Sequence, residues 1–196
     1  MKKGPRMVIE NCEERLSDWL LAEYRHCGEI WPGLVFTSIR RKKDRTLLEE
    51  IGEVSELDSL EYTGGSKCII LDHMAAEELK EEEIRGYEYL IVGGILGYDR
   101  PLGRTAKFIT SKFDGVKNIT RNMGKIQLTI DSAAFVARAI LLGASVGELE
   151  ISSEVEIRWD DVHSTLLPYG YPVVNEKLIL TPGIIDVLRK DWNHRG

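Results

Sequence analysis

The stretch Tyr89-Leu-Ile-Val-Gly-Gly-Ile-Leu-Gly97 constrains this chain more than any other: a strand-like apolar run that breaks into three glycines and then charge. Glycine at a strand end removes the side chain that would hold a ligand away from the backbone. Further on, Met123-Gly-Lys-Ile-Gln-Leu-Thr-Ile-Asp-Ser-Ala-Ala134 puts a glycine-containing loop in front of an alanine-rich helix. Two such loops at the ends of neighbouring strands predict one pocket that grips a small molecule chiefly by main-chain groups.

The rest of the chain alternates in the same way. Strands are predicted over 7–11, 34–39, 67–71, 87–92, 116–120, 154–159 and 173–180. Between them, Leu16, Trp19, Leu20, Tyr24 and Cys27 recur at helical steps, with Gly28 as the stop. Asp44 is placed to cap a helix running towards Gly52, and an acidic helix is expected over 75–85, before Gly86. Residues 101–112 read as helical and Asp114-Gly115 as a turn. Thr129 offers an N-cap hydroxyl to a helix reaching Leu142, with Gly143 beyond its end, and Thr181-Pro182 opens a last helix ending in Arg189 and Lys190. This pattern predicts an α/β fold, a largely parallel sheet flanked by helices, with ligands at the carboxyl ends of the strands. With no internal repeat, low-complexity tract or linker, residues 1–196 read as one domain, long enough to bury a real core.

Charge narrows the partners. A net charge of −6 argues against general nucleic-acid affinity. Two local basic groups stand out: Arg40-Arg41-Lys42-Lys43, read as a solvated loop, and Arg100, Arg104, Lys107 and Lys112. Cys12, Cys27 and Cys68 lack CxxC spacing and read as reduced, buried thiols, with His26 exposed beside them; the four histidines match no metal pattern. Residues 1–6 show no signal-peptide pattern, and Arg138 interrupts the longest apolar run, so a cytoplasmic protein without a membrane span is expected.

Nucleotide motifs fit poorly. GxxxxGK[ST] is absent, and the spacing at Gly93 is G-G-x-x-G, not a dinucleotide fingerprint. Asp114, at the distance of a ribose-binding acid, belongs to a turn rather than a strand end. The ordered blocks Ile9-Glu-Asn-Cys-Glu-Glu14, Ser17-Asp-Trp19, Glu23-Tyr24, Cys68-Ile-Ile-Leu-Asp72, Tyr89 to Gly97 with Arg104-Thr105, and Met123 to Ala133 match something else. Together they resemble the SPOUT superfamily of S-adenosyl-L-methionine-dependent methyltransferases, the α/β-knot enzymes. Within it, the chain looks like an archaeal relative of the fungal ribosomal-protein arginine methyltransferase group. The likeness is strongest over residues 8–145 and fades after about 145.

The resemblance implies a C-terminal trefoil knot whose loops hold the cofactor bent. Leu71 and Asp72 would flank one side, Gly93, Gly94, Ile95 and Gly97 would form a second wall, and Met123, Gly124, Ile126, Gln127, Leu128 and Thr129 would close the third. It also implies an arginine acceptor in a ribosomal protein, and the acidic balance of the chain favours a basic protein substrate over naked RNA. A guanidinium is a poor nucleophile while protonated, so carboxylates are needed to hold it and take its proton. Glu10, Asp99 and Asp131 are the candidates for that role, and one of Arg100, Arg104 and Arg121 is a candidate partner for the cofactor carboxylate. RNA methylation and a non-catalytic, ribosome-associated module remain as rivals, and monomer and homodimer are both open.

Overall fold

In a computed structural model, which describes residues 4–96, 103–115, 117–158 and 160–193, six parallel strands form the centre of the molecule. They are β1 (Arg6–Asn11), β2 (Val35–Thr37), β3 (Glu53–Val54), β4 (Cys68–Leu71), β5 (Tyr89–Gly94) and β6 (Asn118–Arg121), in the order β3-β2-β1-β5-β4-β6. The α-helices among the described residues are α1 (Asp18–Ile30), α2 (Lys42–Leu48), α3 (Ser59–Thr63), α4 (Glu81–Gly86), α5 (Arg104–Phe108), α6 (Ile130–Leu141) and α7 (Ile184–Asn193).

The period of two along a strand explains why both faces are covered. Met7, Ile9, Ile69, Leu71, Leu90 and Val92 face a core shared with α1, α4 and α6. Their neighbours Val8, Cys68, Ile70 and Ile91 face a second core with Ile109 and Phe113. Small residues bring α6 close: Ala134 and Ala137 are fully buried in the first core, and α6 packs on α1 and β5. After α6 come the short strand β7 (Ile151–Ser152), the antiparallel pair β8 (Val155–Arg158) and β9 (Ser164–Leu167), then β10 (Tyr171–Val174) and β11 (Lys177–Leu178). Of these, β8, β9 and β10 enclose a third core with α7, and it packs against Trp19 of α1.

Several expectations are corrected in detail. Gly28 does not stop α1; it lies inside the helix, where a Cβ would come 2.5 Å from the Ile51 side chain. Asp44 is in the first turn of α2 rather than at its cap, and Lys42 and Lys43 belong to that helix rather than to a loop. The acidic helix is only α4, because 77–79 is drawn into pairing with Asn122 instead: the Asn122 N–H donates to Glu77 O at 2.8 Å and the Leu79 N–H to Asn122 O at 2.8 Å. The expected strand over 173–180 folds back at Asn175 and Glu176, with φ of 49° and 64°, to make the β10–β11 hairpin. Thr129 does cap α6, accepting from the Ser132 N–H.

Candidate functional site

The carboxyl ends of β4, β5 and β6 surround a cleft of about 790 Å³ counted to its open mouth. Leu71, Asp72 and His73 form one wall; Gly93, Ile95 and Leu96 form a second. The loop from Met123 through Gly124, Ile126, Gln127 and Leu128 to Thr129 closes the third. The structure therefore brings together the three segments expected from the sequence.

Each wall has a local cause. Asp72, 5 % exposed, accepts the Met74 N–H at 2.9 Å, which turns the chain sharply as β4 ends. Gly124 takes φ of +100°, a left-handed conformation that a side chain would strain, and its N–H is held by Asn122 Oδ1 at 3.0 Å. From far along the chain, Gly170 buttresses the same loop: its N–H donates to Gln127 O at 2.9 Å. A Cβ there would come 2.8 Å from both Ile126 and Leu128 side chains, so the backbones approach because residue 170 has none. Sequence reasoning missed Gly170, since nothing local to Tyr169-Gly170-Tyr171 announces a partner so distant. His73, which follows Asp72 at the end of β4, has its Nε2 buried in the wall without a hydrogen-bond partner.

Gly94 behaves differently from its neighbours. It is not on a cleft wall but against α1, where a Cβ would meet the Tyr24 hydroxyl at 2.2 Å. Gly97, Asp99 and Arg100 lie outside the described residues.

The two described arginines at the rim are committed. Arg104 donates to Glu13 Oε1 at 3.1 Å and to Leu96 O at 3.0 Å; Glu13 also accepts the Leu96 N–H. Arg121 forks onto Glu83, at 2.6 Å from Nη2, and reaches Glu77 at 3.0 Å. Arg121's bond and charge hold Glu83 below the usual carboxylate range in spite of burial.

The two described candidate carboxylates, Glu10 and Asp131, sit apart from the cleft. Glu10, 2 % exposed, accepts from Thr37 Oγ1 and the Ser59 N–H at 2.7 Å each, Ser38 Oγ at 2.9 Å and Lys112 Nζ at 3.0 Å. It lines a second hollow at the ends of β1 and β2, with Cys12, Arg41 and Lys112. Cys12 there is pushed up to about 12 by burial and by Glu10, so it stays a thiol. Asp131, also 2 % exposed, accepts from Thr129 Oγ1 and Thr181 Oγ1 at 2.7 Å each and from the Ser132 N–H at 3.0 Å. His26 Nδ1 lies 2.8 Å from Oδ2, the oxygen that also accepts from Thr181, so this histidine is half-buried and partnered rather than exposed beside the thiols. Next to Asp131 is a carboxylate that was not among the candidates: Glu23, 3 % exposed, accepts from Trp19 Nε1 at 2.6 Å and from the Ile130 N–H at 3.0 Å.

Comparison with known proteins meets this geometry. The model of a family described as "SFM1-like: Protein arginine N-methyltransferase SFM1-like" matches residues 6–195. The chain belongs to this family. It is 27% identical over 206 residues to protein arginine N-methyltransferase SFM1 of Saccharomyces cerevisiae, covering 95% of each. The crystal structure of the yeast arginine methyltransferase SFM1 complexed with SAM matches at a TM-score of 0.85 and 25% identity, over 96% of this chain and 92% of that one. A Trm10 structure from Thermococcus kodakaraensis, at 15% identity and a TM-score of 0.54 over 74% of this chain and 96% of that one, shares the fold. The SFM1-like match runs through the C-terminal strands, where the sequence alone showed little resemblance.

Proposed function

We propose that the protein transfers a methyl group from S-adenosyl-L-methionine to an arginine side chain of a basic protein. The cleft at the ends of β4, β5 and β6 carries this reading, together with membership of the SFM1-like family. Its residues fit a nucleoside cofactor: a close-approach loop at Gly124, small Ala133 beside it, and the unpaired His73 Nε2 on the wall that follows β4. Leu71, Asp72, Gly93, Ile95 and the segment from Met123 to Thr129 would hold it, largely by backbone groups. When bound, the cofactor supplies an electrophilic methyl on a sulfonium.

The protein's own part is positioning and charge. With Arg104 and Arg121 each paired to carboxylates, the rim offers a cationic acceptor a better match than phosphate. Asp131 acts as a positioning residue that fixes the first turn of α6 and the Thr129 cap. Glu10 fixes Lys112 and the start of α3. We further propose that the chain after β6 threads as a trefoil knot, supported by the strapping of Asn122 under 77–79. A ribosomal protein, rich in exposed cations, is the acceptor class that suits a chain of net charge −6, and it places the work in the cytoplasm.

Incubation with labelled cofactor and cell extract tests this directly. Label that resists nuclease, is lost to protease and is recovered as methylarginine is the expected outcome. Nuclease-sensitive label would replace the reading with RNA methylation. Cofactor binding with no transfer to any fraction would leave a non-catalytic module.

A further inference from the structure

The cleft does not end at Leu96 and Thr129. A neighbouring pocket, about 800 Å³ to its mouth, adjoins it and shares Ile95, Leu96, Leu128 and Thr129 with it. Trp19 and Tyr169 supply its aromatic surface, and Glu23 and Asp18 its acids. A buried carboxylate beside aromatic rings is chemistry that suits a planar, delocalised cation. From this geometry we infer that the side pocket is the subsite for the acceptor guanidinium, with Trp19 and Tyr169 as its walls and Glu23 as the group that holds the cation and receives its displaced proton. The inference deepens the methyl transfer proposed above and rests on that reading.

Position singles out Glu23. Glu10 is engaged by four donors and belongs to the other hollow. Asp131 is held by its own four partners and lies on neither the cleft nor the side pocket. Asp18 is at the exposed mouth, 3.6 Å from Lys190. Glu23 is in the wall of a pocket contiguous with the cleft, and each of its oxygens accepts one bond while a carboxylate oxygen has room for two.

Its surroundings also suit the task. Burial and the charge of Asp131 push Glu23 up to about 8, so near neutral pH the vacant pocket holds a proton there. Tyr24 and Cys27 on α1 and Tyr171 on β10 face the same carboxylate, and burial pushes each of them upward too. His26 pairs with Asp131 at 2.8 Å. An arriving guanidinium favours the ionised form, so binding should expel a proton. During transfer the acceptor nitrogen gains the methyl carbon as the donor's carbon–sulfur bond breaks, its electron pair staying on sulfur. One N–H bond of that nitrogen is lost, its pair remaining on nitrogen and its proton passing to the Glu23 carboxylate and then to solvent.

The test uses the full chain, S-adenosylhomocysteine, and a Gly-Arg-Gly amide peptide as probe, with Gly-Lys-Gly amide as control. Calorimetry in two buffers of different ionisation enthalpy between pH 7 and 8 reads both affinity and proton release. The wild type should bind the arginine peptide with proton release and bind the lysine peptide less well. Glu23→Gln should lose about tenfold in arginine-peptide affinity, as expected for a charge-assisted pair, and lose the proton release. Its affinity for S-adenosylhomocysteine should stay within about twofold, since uniform loss would signal a pocket defect. Should Glu23→Gln fail to fold by circular dichroism, Tyr169→Ala decides, with loss of peptide affinity and retained nucleoside affinity expected. Unchanged peptide affinity and proton release in whichever variant folds overturn the inference. So does a wild type that binds the nucleoside but not the peptide. A wild type that binds neither instead sinks the methyltransferase reading beneath it.

Discussion

Glu23 and Asp131 put two carboxylates at the first turn of α6, where free N–H groups and the positive end of the helix favour negative charge. Burial and mutual repulsion still win at Glu23, and the consequence for stability has a definite sign. Unfolded, the group titrates near 4.5; folded, it keeps its proton to about 8. Between those values the folded state binds more protons than the unfolded one, so stability is fullest below 4.5 and falls as pH rises through 8. Thermal scans should show a melting temperature that declines from pH 5 to 8.5, and Glu23→Gln should remove most of that decline. An identical decline in the variant would assign it to other groups. Asp131→Ala carries a different expectation, because it strands the Thr181 hydroxyl and the His26 ring without their acceptor. Loss of about 3 kcal/mol is expected from breaking such a buried network, read as a lower urea midpoint at unchanged m-value, with Asp131→Asn losing less.

At the level of elements, glycines decide how close segments come, and each makes a separable prediction. Gly94→Ala should destabilise β5 against α1, because its Cβ would sit 2.2 Å from the Tyr24 hydroxyl. Adding Tyr24→Phe removes that oxygen, so the double variant should recover part of the loss in a double-mutant cycle. Additive losses would mean that the clash is with the backbone of Glu10 and Asn11 instead. Gly170→Ala should act on the cleft from outside it, pushing Ile126 and Leu128 inward, with cofactor affinity falling about tenfold for an overpacking cost of 1–3 kcal/mol. This contrast also marks what the sequence could reveal. Buried strands such as Cys68–Leu71 and the Thr129 cap are written in contiguous residues, and so are the glycine loops. Glu23 is legible only through Ile130, more than a hundred positions away, and Gly170 only through Gln127. The acidic stretch 75–80 has helical composition but gives its backbone to Asn122, a competition that no local pattern encodes. Glu10 lies near the end of β1 and Asp131 in the first turn of α6. Their hydrogen-bond partners, contributed by other segments, are what turn them away from the cleft.

For the whole molecule, the question is whether the strands after α6 form an appendage or part of the same folding unit. Their core of Val155, Ile157, Leu167, Tyr171, Ile184 and Val187 does not close on itself, since Trp19 of α1 packs against it. Thr181 reaches back to Asp131 at 2.7 Å, and Gly170 reaches back to Gln127. Both links end on the loop and helix that shape the cleft, so ligand binding should be felt by the C-terminal strands as strongly as by the sheet. Calorimetric unfolding should therefore show one transition, with calorimetric and van't Hoff enthalpies in agreement. S-adenosyl-L-methionine at a hundred times its dissociation constant should raise stability by about 2.7 kcal/mol and move that transition as a unit. Two transitions, with the ligand shifting one alone, would show instead that the C-terminal strands fold independently of the site. In that case Gly170→Ala should leave cofactor affinity unchanged, which makes the two experiments checks on each other.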